Sequence, residues 1–207
     1  MDKSTENIVY NKNVIEFVTV AAETCLFLEH FAEEYSRNNF ISKSIKLLSL
    51  LYAKTIVLET PEAVFEETPE RFVNETDYQY IRESVEVLLG NDNIYLEVFH
   101  PQMKYSDTPI AAFISEDLAD IYQELKDFAA NYRIGVAEIM NDALVVCLES
   151  FTEHWGQKLL NVLRALHALR YAEDFDSYEE NEITEKKLKI DRNSFFEKFR
   201  NDDDFSF

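Results

Sequence analysis

Turn-forming residues are scarce: three glycines (Gly90, Gly135, Gly156) and four prolines (Pro61, Pro69, Pro101, Pro109) punctuate 207 residues. A β-rich or α/β chain of this length needs more of them at its turns, so the shortage points to helices. Cysteine is nearly absent too. Cys25 and Cys147 each fall among apolar residues of expected helices, the setting of small buried hydrophobes and not of a disulfide or metal pair. The longest apolar stretch, Leu47 to Leu58, is short and holds Lys54, which argues against a membrane-spanning helix. The opening MDKSTEN lacks the charged and apolar regions of a signal peptide, so a cytoplasmic location is expected. Bases are half as numerous as acids, 20 against 40, for a net charge of −20. Residues 173–207 contribute only −6 of this, so the acidity is not confined to a tail. Such a surface repels phosphate backbones and anionic headgroups, and no strong basic patch offsets it. Nucleic acid and membranes are therefore not expected partners; a basic protein or divalent cations fit better.

What is present is helical periodicity. Val14, Phe17, Val18, Ala21, Cys25, Leu28 and Phe31 repeat as the inner face of a helix over Val14 to Glu34, and Ile45, Leu48, Leu51, Tyr52 and Ile56 mark a second from about Ser42 to Leu58. The two should form an antiparallel hairpin. The acidic, proline-bearing stretch Glu59 to Val73 reads as a loop with room for a helical turn. Thr76 with Gln79 fits a capping box for a third helix that Gly90 stops. Ile94 to Phe99 fits an extended piece and a helical turn equally. Asp107 and Thr108 before Pro109 suggest the start of a short helix, and Ser115 the cap of the next, running to about Tyr132. After Gly135, Ala137 to Tyr171 forms one long helix or two joined near Gly156. The expected fold is all-α: a single-domain antiparallel bundle of about six to eight helices over residues 1–172. Residues 173–207 read as an acidic linker and a short amphipathic segment through Phe195, Phe196 and Phe199.

Four carboxylates share a stripe of the helix before Tyr132: Asp117, Asp120, Glu124 and Asp127. Like charges three or four residues apart oppose helix formation, so the stripe calls for water, cations or a basic partner. Asp117, Asp120 and Glu124 have the spacing that converges oxygens on magnesium or manganese, provided a second acidic helix faces them; Glu138 with Asp142, or Glu149 with Glu153, are its candidates. Asp117 and, more weakly, Asp120 are also explained by the helix N-terminus, where the dipole favours negative charge. Glu124 and Asp127 lack that explanation. Their nearest counter-charge is the acid-free stretch His154 to Ala172, which carries Lys158, Arg164 and Arg170. Pairing between the two helices is the favoured reading, and Tyr105, Asn161, Arg164 and His167 are candidates for a polar pocket that takes a small anion. No resident cofactor is expected beyond magnesium or manganese. Glu97 with His100 is a single Glu-x-x-His where a di-iron bundle needs two, and no phosphate loop, zinc-protease motif or activated nucleophile occurs.

The segments MKYSDTPIAAFISEDLADIYQELKDF (Met103 to Phe128), HWGQKLLNVLRALHAL (His154 to Leu169) and VTVAAETCLFLE (Val18 to Glu29) resemble a bacterial family catalogued as domain of unknown function 5063. The resemblance covers roughly residues 10–170 and implies a helical cytoplasmic protein with no functional residues to carry over. Three readings follow. The first is a non-enzymatic interaction or regulatory module with an acidic surface; the others are a metal-dependent hydrolase of a phosphorylated small molecule and an anion-sensing bundle.

Overall fold

The structure, a computed structural model, describes residues 8–97, 105, 110–173 and 175. A 3₁₀ turn (Ile8–Tyr10) leads into α1 (Lys12–Glu34), where the Asn11 side chain caps by accepting from the Asn13 amide. Helix α2 (Arg37–Thr55) begins earlier than its apolar periodicity suggests. Ser36 caps it, and Phe40 and Ile41, inside an outwardly polar stretch, are both buried. The two helices are antiparallel: Phe31 and Phe40 meet at 4.5 Å at one end, and Lys54 reaches Glu16 at 2.7 Å at the other. After residues 59–73, α3 (Glu75–Leu89) starts from a capping box of Asn74 and Asp77, two residues before the expected Thr76 and Gln79. Asn at the cap wins because its side chain and that of Asp77 satisfy both orphan amides reciprocally. Gly90 ends the helix at φ +55°, a left-handed conformation that glycine adopts without steric cost.

A 3₁₀ turn (Gly90–Asn93) then delivers a two-stranded antiparallel hairpin, β1 (Ile94–Glu97) and β2 (Ile110–Phe113), with Ile94 opposite Phe113 and Glu97 opposite Ile110. The extended alternative is thus the correct one for β1. Where Pro109 suggested a short helix, residues 110–113 form the second strand; Asp107, Thr108 and Pro109 lie outside the described residues. Helix α4 (Ile114–Arg133) has no side-chain cap. Ser115 is instead buried and exchanges two hydrogen bonds with Asn93, donating its amide at 2.8 Å and accepting at its hydroxyl at 2.9 Å. That exchange ties the entry of the hairpin to its exit.

Helices α5 (Ala137–Ser150) and α6 (Gly156–Arg170) are one rod interrupted by a π turn, Phe151–Trp155. The Gly156 amide donates to the Phe151 carbonyl five residues back. A Cβ on Gly156 would stand 2.4 Å from that carbonyl oxygen and 2.9 Å from the Phe151 ring, so the turn closes only around glycine. Alanine in a helix interior ordinarily stabilises by up to about 1 kcal/mol relative to glycine. Here the sign reverses: Gly156→Ala is expected to lower stability by about 1–3 kcal/mol, the cost of overpacking. Urea denaturation checks this, and a raised midpoint would show that the π turn relaxes freely.

A contiguous core joins all six helices and includes Phe175, which lies beyond the expected boundary at residue 172. Asn38 donates to the Phe175 carbonyl at 2.7 Å and the Arg170 guanidinium lies 4.5 Å from its ring. The body is mostly helical, and among the described residues no helix is long and apolar enough to cross a membrane.

Candidate functional site

Lys158 on α6 decides what becomes of the acid stripe. Its ammonium lies 3.3 Å from Asp117 Oδ1 and also binds Asp120 Oδ2. The Tyr95 hydroxyl donates to Asp117 Oδ2 at 2.5 Å, and the Tyr78 hydroxyl to Asp120 Oδ1 at 2.9 Å. All four oxygens of the two carboxylates are therefore taken by protein donors. Burial raises the Asp117 carboxyl above the usual range, against the pull of Tyr95 and Lys158. Burial likewise opposes the Lys158 charge, but the bonds and charges of Asp120 and Asp117 outweigh it and hold the ammonium above its ordinary value. Burial and the acceptor carboxylates push the Tyr78 and Tyr95 phenols upward, so both remain protonated donors.

The two carboxylates nearest the helix N-terminus are thus the ones that meet the basic helix, opposite to the expectation that Glu124 and Asp127 would do so. Asp127 has a different role, and Glu124 lines a small cavity of about 80 Å³ beneath residues 68–71 with Phe128, Asn131 and Cys147. Asp117, Asp120 and Glu124 therefore do not converge. Among the described residues no group of three or more His, Cys, Asp or Glu is placed to hold a metal.

Of the four residues of the suggested anion pocket, two are engaged by the hairpin strand β1. Asn161 is buried and donates to both oxygens of Glu97 at 3.0 and 3.1 Å, while Gln157 donates to Asn161 at 3.1 Å. Arg164 donates to the Leu96 carbonyl at 3.2 Å, His167 lies tilted against the Tyr171 ring at 4.7 Å, and Tyr105 is exposed. Of the four, only Arg164 lines the nearby groove with Asp92, Ile94, Tyr95 and Leu169. The polar side of α6 is spent on holding the hairpin. His100, the second member of the lone Glu-x-x-His, lies outside the described residues.

A second site went unread in the sequence. Residues 59–73 form no helix, yet four side chains hold them on the α4–α5 elbow. Asp142 accepts from the Val64 and Phe65 amides, each at 2.7 Å, and Asp127 accepts from Phe72 and Val73 at 2.7 and 2.9 Å. Asn141 donates to the Glu62 carbonyl and Asn131 to the Glu70 carbonyl, both at 2.8 Å. Asn131, Asn141 and Asp142 are all buried. The segment is a strap of fixed shape. It presents Glu59, Glu62, Glu66, Glu67 and Glu70 against the single base Arg71. Val64 and Phe65 remain 55% and 52% exposed. Between strap and elbow runs a groove of about 550 Å³ with Phe65, Pro69, Ile134 and Ile139 as apolar wall and Glu66, Glu67 and Glu70 at its border. The one sequence signal for this site was polar: Asn141 and Asp142 interrupt an otherwise apolar helix, EIMNDALVVCL.

Burial works against the Asp142 charge, but the amides of Val64 and Phe65 and the Asn141 side chain outweigh it and lower its carboxyl below the ordinary value. A depressed carboxylate stabilises the fold above its unfolded value, about 3.9, and loses that contribution as pH falls through the folded value. The strap is therefore expected to come free in acid before the helices melt, seen as proteolytic cleavage within residues 59–73. Asp142→Ala should produce the same release at neutral pH and cost about 1.5–3 kcal/mol, the range for hydrogen bonds to a charged group. Equal protease resistance in the variant would refute the pinning role.

The fold and the strap together define a helical bundle that displays an acidic and apolar groove at one end. The model of the family described as Domain of unknown function (DUF5063) matches residues 8–172, and the chain belongs to that family. The chain is also similar to the crystal structure of protein BF1032 from Bacteroides fragilis, at 44% identity and a TM-score of 0.71, over 80% of this chain and 96% of that one. No curated protein matches it.

Proposed function

We propose that this protein is a non-enzymatic interaction module of the cytoplasm, and that the strap groove is where it meets a basic, partly apolar segment of a protein partner. The observation that carries this reading is the cost of the strap. Two buried or half-buried carboxylates and two buried asparagines are committed to backbone atoms of a loop whose own side chains, Val64, Phe65 and Glu66 among them, face outward. A loop that served only to connect α2 and α3 needs no such fixing. A surface preorganised before binding loses less conformational entropy when it binds, which is the gain a fixed groove offers. In the metal-dependent hydrolase reading two of the three donors, Asp117 and Asp120, are engaged by Lys158, Tyr78 and Tyr95, and in the anion-pocket reading Asn161 and Arg164 are engaged by β1, so neither is favoured over the strap groove.

The test is fluorescence anisotropy of a labelled amphipathic peptide of lysine and leucine titrated with the full chain at low and high salt. Binding should weaken with salt, since exposed charges are screened over about 8–10 Å at physiological ionic strength. It should disappear in the triple variant Glu66→Lys, Glu67→Lys, Glu70→Lys. Binding that survives the charge reversal would place the contact elsewhere, and no binding at low salt would remove the proposal.

A further inference from the structure

The averaged charge of the tail hides a segment of opposite sign. Residues 186–200, KKLKIDRNSFFEKFR, carry six bases against two acids, and they include Leu188, Ile190, Phe195, Phe196 and Phe199. They lie outside the described residues, as does the short amphipathic helix expected there. Net charge and aromatic content make this the stretch of the chain that best complements the groove, which offers Phe65, Ile134 and Ile139 between Glu66, Glu67 and Glu70.

We propose that residues 186–200 occupy the strap groove of their own molecule, so that the chain carries an internal competitor for its partner. The inference rests on the groove being the binding site for basic segments. Reach allows it. Phe175 is fixed against Asn38, whose neighbour Arg37 binds Asp92 at 2.5 Å, beside the Asn93 to Ser115 exchange at the start of α4. The groove lies at the other end of α4, nearly twenty residues on, or about 28 Å at 1.5 Å per residue. The twenty residues from Phe175 to Phe195 can span up to roughly 65 Å when extended, more than that distance. A tethered segment acts at an effective concentration that short flexible linkers bring into the millimolar range, so a weak intrinsic contact suffices to keep the groove filled.

The experiment uses the full chain, a labelled synthetic peptide of residues 186–200, and the lysine and leucine peptide as an unrelated basic probe. In the variant Phe195→Ser, Phe196→Ser, Phe199→Ser the groove is vacated, and both peptides should bind about tenfold more tightly than to the natural chain, as expected when nine-tenths of the molecules were self-occupied. The charge reversal of Glu66, Glu67 and Glu70 should abolish binding of both. If the unrelated peptide binds through those glutamates with the same affinity in natural chain and tail variant, self-occupancy is refuted while the groove stands as a partner site. If neither peptide binds to either protein, the reading of the groove falls and this inference with it.

Discussion

Trp155→Ala is expected to lower the unfolding free energy by about 3–5 kcal/mol, the range for deleting a fully buried large aromatic side chain. Trp155 is wholly buried, packs edge-on against Phe151 at 4.6 Å and donates its indole N–H to the Cys147 carbonyl at 3.0 Å. Phe151 in turn meets Tyr52 of α2 at 5.6 Å, so the indole seats the π turn against a neighbouring helix. Trp155→Phe should cost less, because the Cys147 carbonyl keeps its bond from the Phe151 amide. Urea unfolding followed by circular dichroism measures both, since the chain has no other tryptophan to report. A loss below about 1.5 kcal/mol for alanine, the level of a volume-conserving swap, would show that the site is not a packed anchor.

Lys158→Met is expected to cost about 2–3 kcal/mol at neutral pH. Breaking a fully buried ion pair from one side costs roughly 3–5 kcal/mol, and the figure is reduced because 27% of Lys158 and 23% of Asp120 reach water. Asp117, only 9% exposed, is left charged with Tyr95 as its remaining donor. The sign of the pH dependence follows from its carboxyl, already raised by burial. A carboxyl raised on folding favours the native state when protonated, so stability falls as pH rises from the ordinary Asp value through the folded one. Removing the ammonium raises it further. The deficit of the variant should thus be full at neutral pH and shrink in acid. Adding Asp117→Asn and Asp120→Asn to Lys158→Met should restore part of the loss, and a thermodynamic cycle over these variants measures the coupling. Additive losses would mean that the lysine and the stripe act independently.

Helix positions were legible in the sequence because the apolar residues of α1, α3 and α4 repeat at helical spacing whatever surrounds them. Their starts were less so. The register at Asn74 rather than Thr76, and the cap at Ser36, turned on which side chain reached an amide in three dimensions. In β1 the usual polarity is inverted: Ile94 and Leu96 are exposed, while Tyr95 and Glu97 turn inward to Asp117 and Asn161. A rule that places apolar residues inside misreads such a strand, because its inward partners are polar groups contributed by α4 and α6.

Composition and local pattern determined that this chain is built of helices, that it is acidic overall, and that no familiar catalytic motif is present. Those properties are sums or local periods, and neither depends on which residues meet. Tertiary structure decided the rest. Lys158 is 38 residues from Asp120, and Asp142 is 78 from Val64. Pairings over such separations are selected by the packing of whole helices, and no local spacing records them. The acid stripe therefore became an internal ion pair at one end and a loop anchor at the other, while a stretch read only as a connecting loop became the candidate binding surface.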